Sequence, residues 1–224
     1  MKNYYSQQLS AERLRLCYEI APPRVKCYLE AEIEFVLDKI TPSDLVLELG
    51  CGYGRVLQKL ITKANVVVGI DTSRDSLRLA RETTGGAPHC YLSQMNAVAL
   101  GFRDRVFDMV FCIQNGISAF KVDQRKLMSE AMRVTCSGGR FLFSSYSERF
   151  WKDRLEWFRI QSDYGLIGEI DNEATGDGVI VCKDGFRATT IGPDNFAQLT
   201  SNFDVSPDIS EVDDSSIFCE ILVK

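Results

Sequence analysis

The chain has 224 residues, 45% of them hydrophobic and 25% charged, which suits one folded domain rather than a disordered or fibrous chain. With 26 Lys and Arg against 31 Asp and Glu, the net charge of −5 lacks the footprint of a nucleic-acid binder or of a polybasic membrane-surface protein. It contains neither an apolar run of about 20 residues nor a signal-peptide core, so a soluble, cytoplasmic protein is expected.

A helical pattern over 11–20 comes first. Residues 24–40 then place Val25, Leu29, Ile33, Val36, Leu37 and Ile40 at a 3.6-residue period, opened by Pro22-Pro23 and closed before Thr41-Pro42. LVLEL (45–49) is a short apolar run that ends in glycines, and RVLQKLIT after it is amphipathic. VVVGI (66–70) is a second apolar run, followed by the helical stretch SRDSLRLARET. A weaker strand falls near 89–93, a strong one in VFDMVFCI (106–113), a helix over 123–134 and a strand in GGRFLFSSY (138–146). Apolar strands that alternate with helices imply βαβ units and a parallel, doubly wound α/β sheet.

Past residue 146 the texture changes. ERFWKDRLEWFRIQ reads as helix, and GLIGEID, GVIVCK and FRATTI read as short strands joined by Gly/Asp turns. A helix over 193–201 and a final strand in IFCEILV follow. There are no repeats, so the expectation is a single domain with four parts: an N-terminal helical cap (1–40), a core (41–146), a β-rich elaboration (147–192) and a closing helix and strand (193–224).

The eight cysteines form no C-x-x-C pair, and several lie in apolar runs, so they read as small buried hydrophobes and not as metal ligands. The single histidine, His89, follows a Gly-Gly-Ala-Pro turn and reads as a strand-edge residue. A Ser-His-Asp or Cys-His machine has no signature here.

The most informative stretch is residues 46–57 (VLELGCGYGRVL), where a strand feeds a G-x-G-x-G turn. Gly50, Gly52 and Gly54 let the backbone turn sharply and approach a ligand, with free N–H groups expected to point into the crevice. Seventeen residues after Gly54, Asp71 ends the second strand, where a carboxylate can accept both hydroxyls of a ribose. The third glycine of a dinucleotide fingerprint would fall at position 55, which is Arg55, a residue expected to face solvent.

The succession ELGCGYGR, VVGID, MNAVALGF, FDMVFCI and the Ser-Gly-Gly strand across residues 45–146 resembles the class I S-adenosylmethionine-dependent methyltransferases. The resemblance implies a mostly parallel seven-stranded sheet with N-terminal helices. S-adenosyl-L-methionine would be the cofactor, S-adenosyl-L-homocysteine the product, and no metal would be needed. It also implies that Glu48, Gly50, Cys51, Gly52 and Gly54 wrap the methionine and sulfonium portion, with Ile113 also against the cofactor. Asp71 would hold the ribose, with Thr72 beside it. Asn96 and Ala97 stand where the family often has Asp-Ala against adenine, and an Asn oxygen can still accept from the adenine amine. Asp108 is the family's usual acid near the start of the fourth strand and reads as structural.

The acceptor should sit at the end of the fourth strand, residues 112–120 (CIQNGISAF). The Asp/Asn-Pro-Pro-Tyr/Phe motif of DNA amine methyltransferases is absent there, and the local pattern is more similar to small-molecule members of the glycine N-methyltransferase type. Gln114 and Asn115 are the candidate polar orienters at the catalytic edge, unless they only cap the following turn. Tyr4 and Tyr5 precede the first helix, and related enzymes fold such a segment over the cofactor. Tyr5, Tyr146 and Trp151 are substrate-contact candidates, beside Phe150, Trp157, Phe158 and Tyr164, all of which could equally be core. Residues 148–190 are the candidate lid.

The expected partner is a small-molecule methyl acceptor, not nucleic acid or membrane. Two alternatives stand beside this: a non-catalytic cofactor-binding regulatory module, and a nicotinamide-dependent oxidoreductase. Arg55 in place of glycine and the lack of a Tyr-x-x-x-Lys set weigh against the second.

Overall fold

A computed structural model describes Tyr4 and residues 8–224. Helices α1 (Ala11–Glu19) and α2 (Pro23–Leu37) lead into strand β1 (Leu45–Leu49). Pro23 opens α2 in its first turn, where a missing N–H costs nothing, and Val25, Leu29, Ile33 and Val36 line its buried face. Then follow α3 (Leu57–Leu60), β2 (Val66–Asp71), α4 (Arg74–Thr83), β3 (Cys90–Gln94), β4 (Phe107–Cys112), α5 (Gly116–Ala119), α6 (Gln124–Val134) and β5 (Thr135–Tyr146). The Ser73 side chain caps α4 through Ser76 N, and the Asp123 carboxylate caps α6 through Arg125 N and Lys126 N.

A 3₁₀ turn (Glu148–Phe150) and α7 (Trp151–Asp163) begin the elaboration, which continues through β6 (Ile180–Val181) and β7 (Arg187–Ala188). The chain closes with α8 (Pro193–Thr200), β8 (Asp208–Val212) and β9 (Ser216–Leu222).

Seven strands form one sheet in the order β3-β2-β1-β4-β5-β9-β8. The strands β1 to β5 pair in parallel, and β9 runs antiparallel between β5 and β8. The strand order reverses between β1 and β4, so a crevice opens beyond their carboxyl ends. One face of the sheet, with Leu47, Val110, Phe141 and Phe143, packs under α6 and α8. The other, with Val46, Met109, Phe111 and Leu142, packs under α2 and α3. A third apolar cluster joins Cys17, Val25 and Leu29 to Trp157, Phe158 and Phe186, and so ties the N-terminal helices to the elaboration.

Four expectations need correction. The amphipathic run after the glycine loop gives only the single turn α3, held by Leu57 and Leu60. Both are fully buried, at about 1.5–3 kcal/mol each, where a lone turn would not persist. The 165–171 stretch is not a strand; only Ile170 bridges to Cys182, and β6 and β7 have two residues each. Strand β5 begins before its glycines, with a register shift against β4 and Gly138 at φ +80°. Strand β8 (DISEV) escaped the pattern because it is a half-exposed edge strand with charges along it. Among the described residues no helix is long and apolar enough to cross a membrane.

Candidate functional site

The crevice deepens into a cavity of about 820 Å³ at the carboxyl ends of the parallel strands. That is within the range of small-molecule sites and large enough for two ligands to meet.

Its floor comes from the loop after β1. Gly50 sits at φ +76° and faces the Phe120 ring; a Cβ there would lie 2.4 Å from a ring carbon. Gly54, at φ +84°, lies against Ala80 of α4 and does not line the cavity, so its role is to let the loop approach that helix. The expected free N–H groups are spent within the fold. Gly50 and Cys51 donate to Ile70 O at 2.8 and 2.9 Å, and Gly52 donates to an Asp71 carboxylate oxygen at 3.0 Å.

Two carboxylates face this floor. Asp71 also accepts from Ser73 N at 2.7 Å, and burial raises its pKa against the pull of these donors. Glu48 is almost fully buried, and its Oε2 has no hydrogen-bond partner among the described residues. Burial pushes its pKa up to about 8; the charge of Arg55 opposes this and Asp71 adds to it. Arg55 does not point to solvent. It lines the cavity, its guanidinium 4.8 Å from the Tyr18 ring centre, with a loose 3.4 Å contact to Glu30.

On the β3 side, Thr72, Asn96 and Ala97 line the wall. The Asn96 oxygen already accepts from Val98 N at 3.1 Å, which fixes the turn. On the β4 side, Ile113, Gln114 and Asn115 reach the cavity. Gln114 and Asn115 are consecutive left-handed residues, at φ +57° and +60°. Such a pair costs about 1–2 kcal/mol per residue and persists only when pinned. Gln114 is pinned by its main-chain N–H, which donates to Glu32 at 2.6 Å and to Ser144 Oγ at 2.9 Å. Asn115 is pinned by its side chain: Nδ2 donates to Thr189 O at 2.9 Å, and Oδ1 accepts from Ser145 Oγ at 2.8 Å. Ser145 Oγ in turn accepts from Ile191 N at 2.7 Å. The Asn115 amide thus stitches the end of the elaboration to β5, while Gln114 Nε2 is buried with no partner among the described residues.

The roof comes from Tyr4, Tyr146, Trp157, Phe158 and Phe186. The Tyr4 hydroxyl donates to Asp184 at 2.8 Å, and its ring meets Phe186 edge-on. Tyr5 lies outside the described residues. Trp151 does not line the cavity; it stands near the Arg154 guanidinium instead. Burial lifts the Tyr146 hydroxyl and the Cys17 thiol to about 12, so both stay protonated at neutral pH. Asp108 accepts from Leu45 N at 2.8 Å, and His89 contacts Ile61 O at 2.9 Å, and neither lines the cavity.

Phe120, Lys121, Gln161 and Arg187 also line the cavity, and sequence reasoning missed Lys121, Gln161 and Arg187 as site residues. Lys121 had a signal, because it directly follows the stretch where an acceptor was expected. Arg187 had none. Among the described residues no group of three His, Cys, Asp or Glu side chains could hold a metal.

Comparisons with known proteins bear on the domain and its fold. The "Methyltransferase domain" family model matches residues 46–139. A search of curated proteins gave no significant match. Among solved structures, a Pyrococcus horikoshii protein is 21% identical, with a TM-score of 0.67 and 100% of each chain covered. A magnesium protoporphyrin IX methyltransferase from Synechocystis, solved with S-adenosylhomocysteine, is 14% identical at a TM-score of 0.65, covering 100% of this chain and 98% of that one. An N-methyltransferase from Bradyrhizobium japonicum, also solved with S-adenosylhomocysteine, is 13% identical at a TM-score of 0.63, with 98% of each chain covered. At such identities these likenesses concern the fold.

Proposed function

We propose that the chain is a class I S-adenosylmethionine-dependent methyltransferase and moves a methyl group from S-adenosylmethionine to a small-molecule acceptor in this cavity, a reading that the family match over residues 46–139 supports. The observation that carries the reading is the orphaned Glu48 Oε2. A buried carboxylate oxygen without a donor is costly, and the α-ammonium of the cofactor would supply the missing donor and charge.

The remaining residues fit the same ligand. Asp71 would accept from the ribose hydroxyls, and its bonds to Gly52 and Ser73 already hold it at the strand tip. Asn96 and Ala97 would border adenine, with Thr72 beside the ribose. Gly50, Cys51 and Gly52 would run along the methionine portion and Ile113 beside the sulfur. The cofactor supplies an activated methyl group on a sulfur leaving group, so the protein's task is alignment and exclusion of water.

Gln114 Nε2 is the free donor at the acceptor edge and would orient the nucleophile. Asn115 would act as a positioning residue through its bonds to Ser145 and Thr189. Tyr146, a protonated donor at neutral pH, would face the acceptor. Trp157, Phe158 and Phe186, from the 147–192 elaboration, would cover it as a lid and keep water out.

Titration calorimetry with S-adenosylhomocysteine tests the reading. A dissociation constant in the micromolar range supports it, and no heat at high protein concentration overturns it.

A further inference from the structure

Lys121 and Arg187 both line the cavity, and neither forms an ion pair among the described residues. Many other cations of the chain are matched: Arg24 with Asp213, Arg133 with Asp104 and Glu130, Arg140 with Glu220. The acid nearest to Arg187 in the chain, Asp184, is occupied by the Tyr4 hydroxyl at 2.8 Å and the Phe186 N–H at 3.0 Å. The two cavity carboxylates, Glu48 and Asp71, lie at the carboxyl ends of strands β1 and β2 rather than on this wall.

A third cation stands behind it. Arg154 is 1% exposed, donates to Gly178 O at 2.9 Å, and lies 4.4 Å from the centre of the Tyr146 ring that faces the cavity. Lys121 feels both arginines. Burial depresses its pKa first, and the charges of Arg187 and Arg154 depress it further. Three positive charges therefore bear on one end of the cavity, and the free amide donor Gln114 Nε2 is buried in the same cavity lining. Lys121, Arg187 and the Gln114 amide are cations or hydrogen-bond donors, and among the described residues they have no negatively charged acceptor. The walls beside them, Tyr146, Trp157, Phe158 and Phe186, are aromatic.

We propose that this end of the cavity binds the acid group of an apolar organic anion, with Lys121 and Arg187 as counter-charges, Gln114 as a donor, and the aromatic wall around its apolar body. That this anion is the methyl acceptor rests on the methyltransferase reading. The carboxylate of the cofactor's methionine has the same chemistry, so the experiment separates the two sources.

Benzoate, phenyl phosphate and neutral benzamide are titrated into the protein, with and without saturating S-adenosylhomocysteine. The same is done for the variant carrying both Lys121→Ala and Arg187→Ala, two side chains outside the three apolar clusters whose truncation leaves the core intact. At least one acid should bind the unmodified protein tenfold or more tighter than benzamide. The double variant should lose that preference while it binds S-adenosylhomocysteine within twofold of the original. Equal binding of acids and amide, no acid binding up to millimolar concentration, or a preference that survives in the double variant overturns the proposal. So does a tenfold loss of S-adenosylhomocysteine affinity in the double variant, because the cations would then serve the cofactor. If the unmodified protein binds no S-adenosylhomocysteine, the methyltransferase reading fails, and the titrations without it still decide the anion site.

Discussion

The main-chain N–H of Gln114 donates to the buried carboxylate of Glu32 at 2.6 Å, so a helix that precedes the sheet sets the backbone at the edge of the cavity. Glu32 also accepts from Ser216 Oγ at 2.7 Å. Burial raises its pKa to about 7, although donors from Ser216, Ser144 and Gln114 and the charge of Arg55 pull it down. The folded protein therefore holds this proton where the unfolded chain has lost it. The stability associated with the protonated form is present below about pH 4.5 and is lost as pH rises through about 7. Thermal melts from pH 5 to 9 should show this decline, and Glu32→Gln should flatten it. An unchanged slope in the variant would remove Glu32 as its source.

Glu48 gives a second pH dependence, in binding. With its pKa near 8, the carboxyl is largely protonated in the free protein at neutral pH, and an ammonium ligand favours the ionised form. Binding should release a proton, and S-adenosylhomocysteine affinity should rise as pH rises towards 8. Calorimetry in buffers of different ionisation enthalpy reads the proton directly. Glu48→Gln should weaken binding by about tenfold, the equivalent of roughly 1.4 kcal/mol, and abolish the release.

Asp71 and Asp108 are both partly buried acids at strand ends with opposite assignments. Asp71→Ala should weaken S-adenosylhomocysteine tenfold or more, whereas Asp108→Asn should leave affinity within twofold and lower stability by about 1 kcal/mol through its bond to Leu45 N. Equal or reversed effects on affinity would reject the assignment.

Asn115 combines a left-handed backbone with a side chain that bonds Thr189 and Ser145. Asn115→Ala loses both and should cost about 2–4 kcal/mol in urea denaturation. Asn115→Gly keeps the backbone and should be about 1 kcal/mol less damaging. Equal losses would mean that the backbone conformation contributes nothing.

Gly50→Ala should destabilise the fold by about 3 kcal/mol, because positive φ and the Phe120 ring act together. Gly85, at φ +59° with open space around it, bears only the conformational cost, so Gly85→Ala should lose about 1 kcal/mol. Adding Phe120→Ala to Gly50→Ala should recover part of the difference if the contact is its cause.

Much was legible from the chain alone, because the signals involved are local. Apolar runs that alternate with periodic helices determine the parallel core. A strand that empties into Gly50, Gly52 and Gly54, with Asp71 at the next strand tip, points to the end of the sheet where the cavity lies. Of the expected site residues, Glu48, Gly50, Cys51, Gly52, Asp71, Thr72, Asn96, Ala97, Ile113, Gln114, Asn115 and Tyr146 meet at one cavity. Other features depend on residues far apart in sequence. Gly54 turns away to meet Ala80, and Trp151 stays outside the cavity. Lys121 and Arg187 reach the same wall from segments on either side of β5 and α7. Glu32 reaches Gln114 only after α2 has packed on the sheet. Spacing along a chain records which residues share a strand face or helix stripe, whereas a contact across 82 positions depends on how those elements pack, and only the assembled fold decides that.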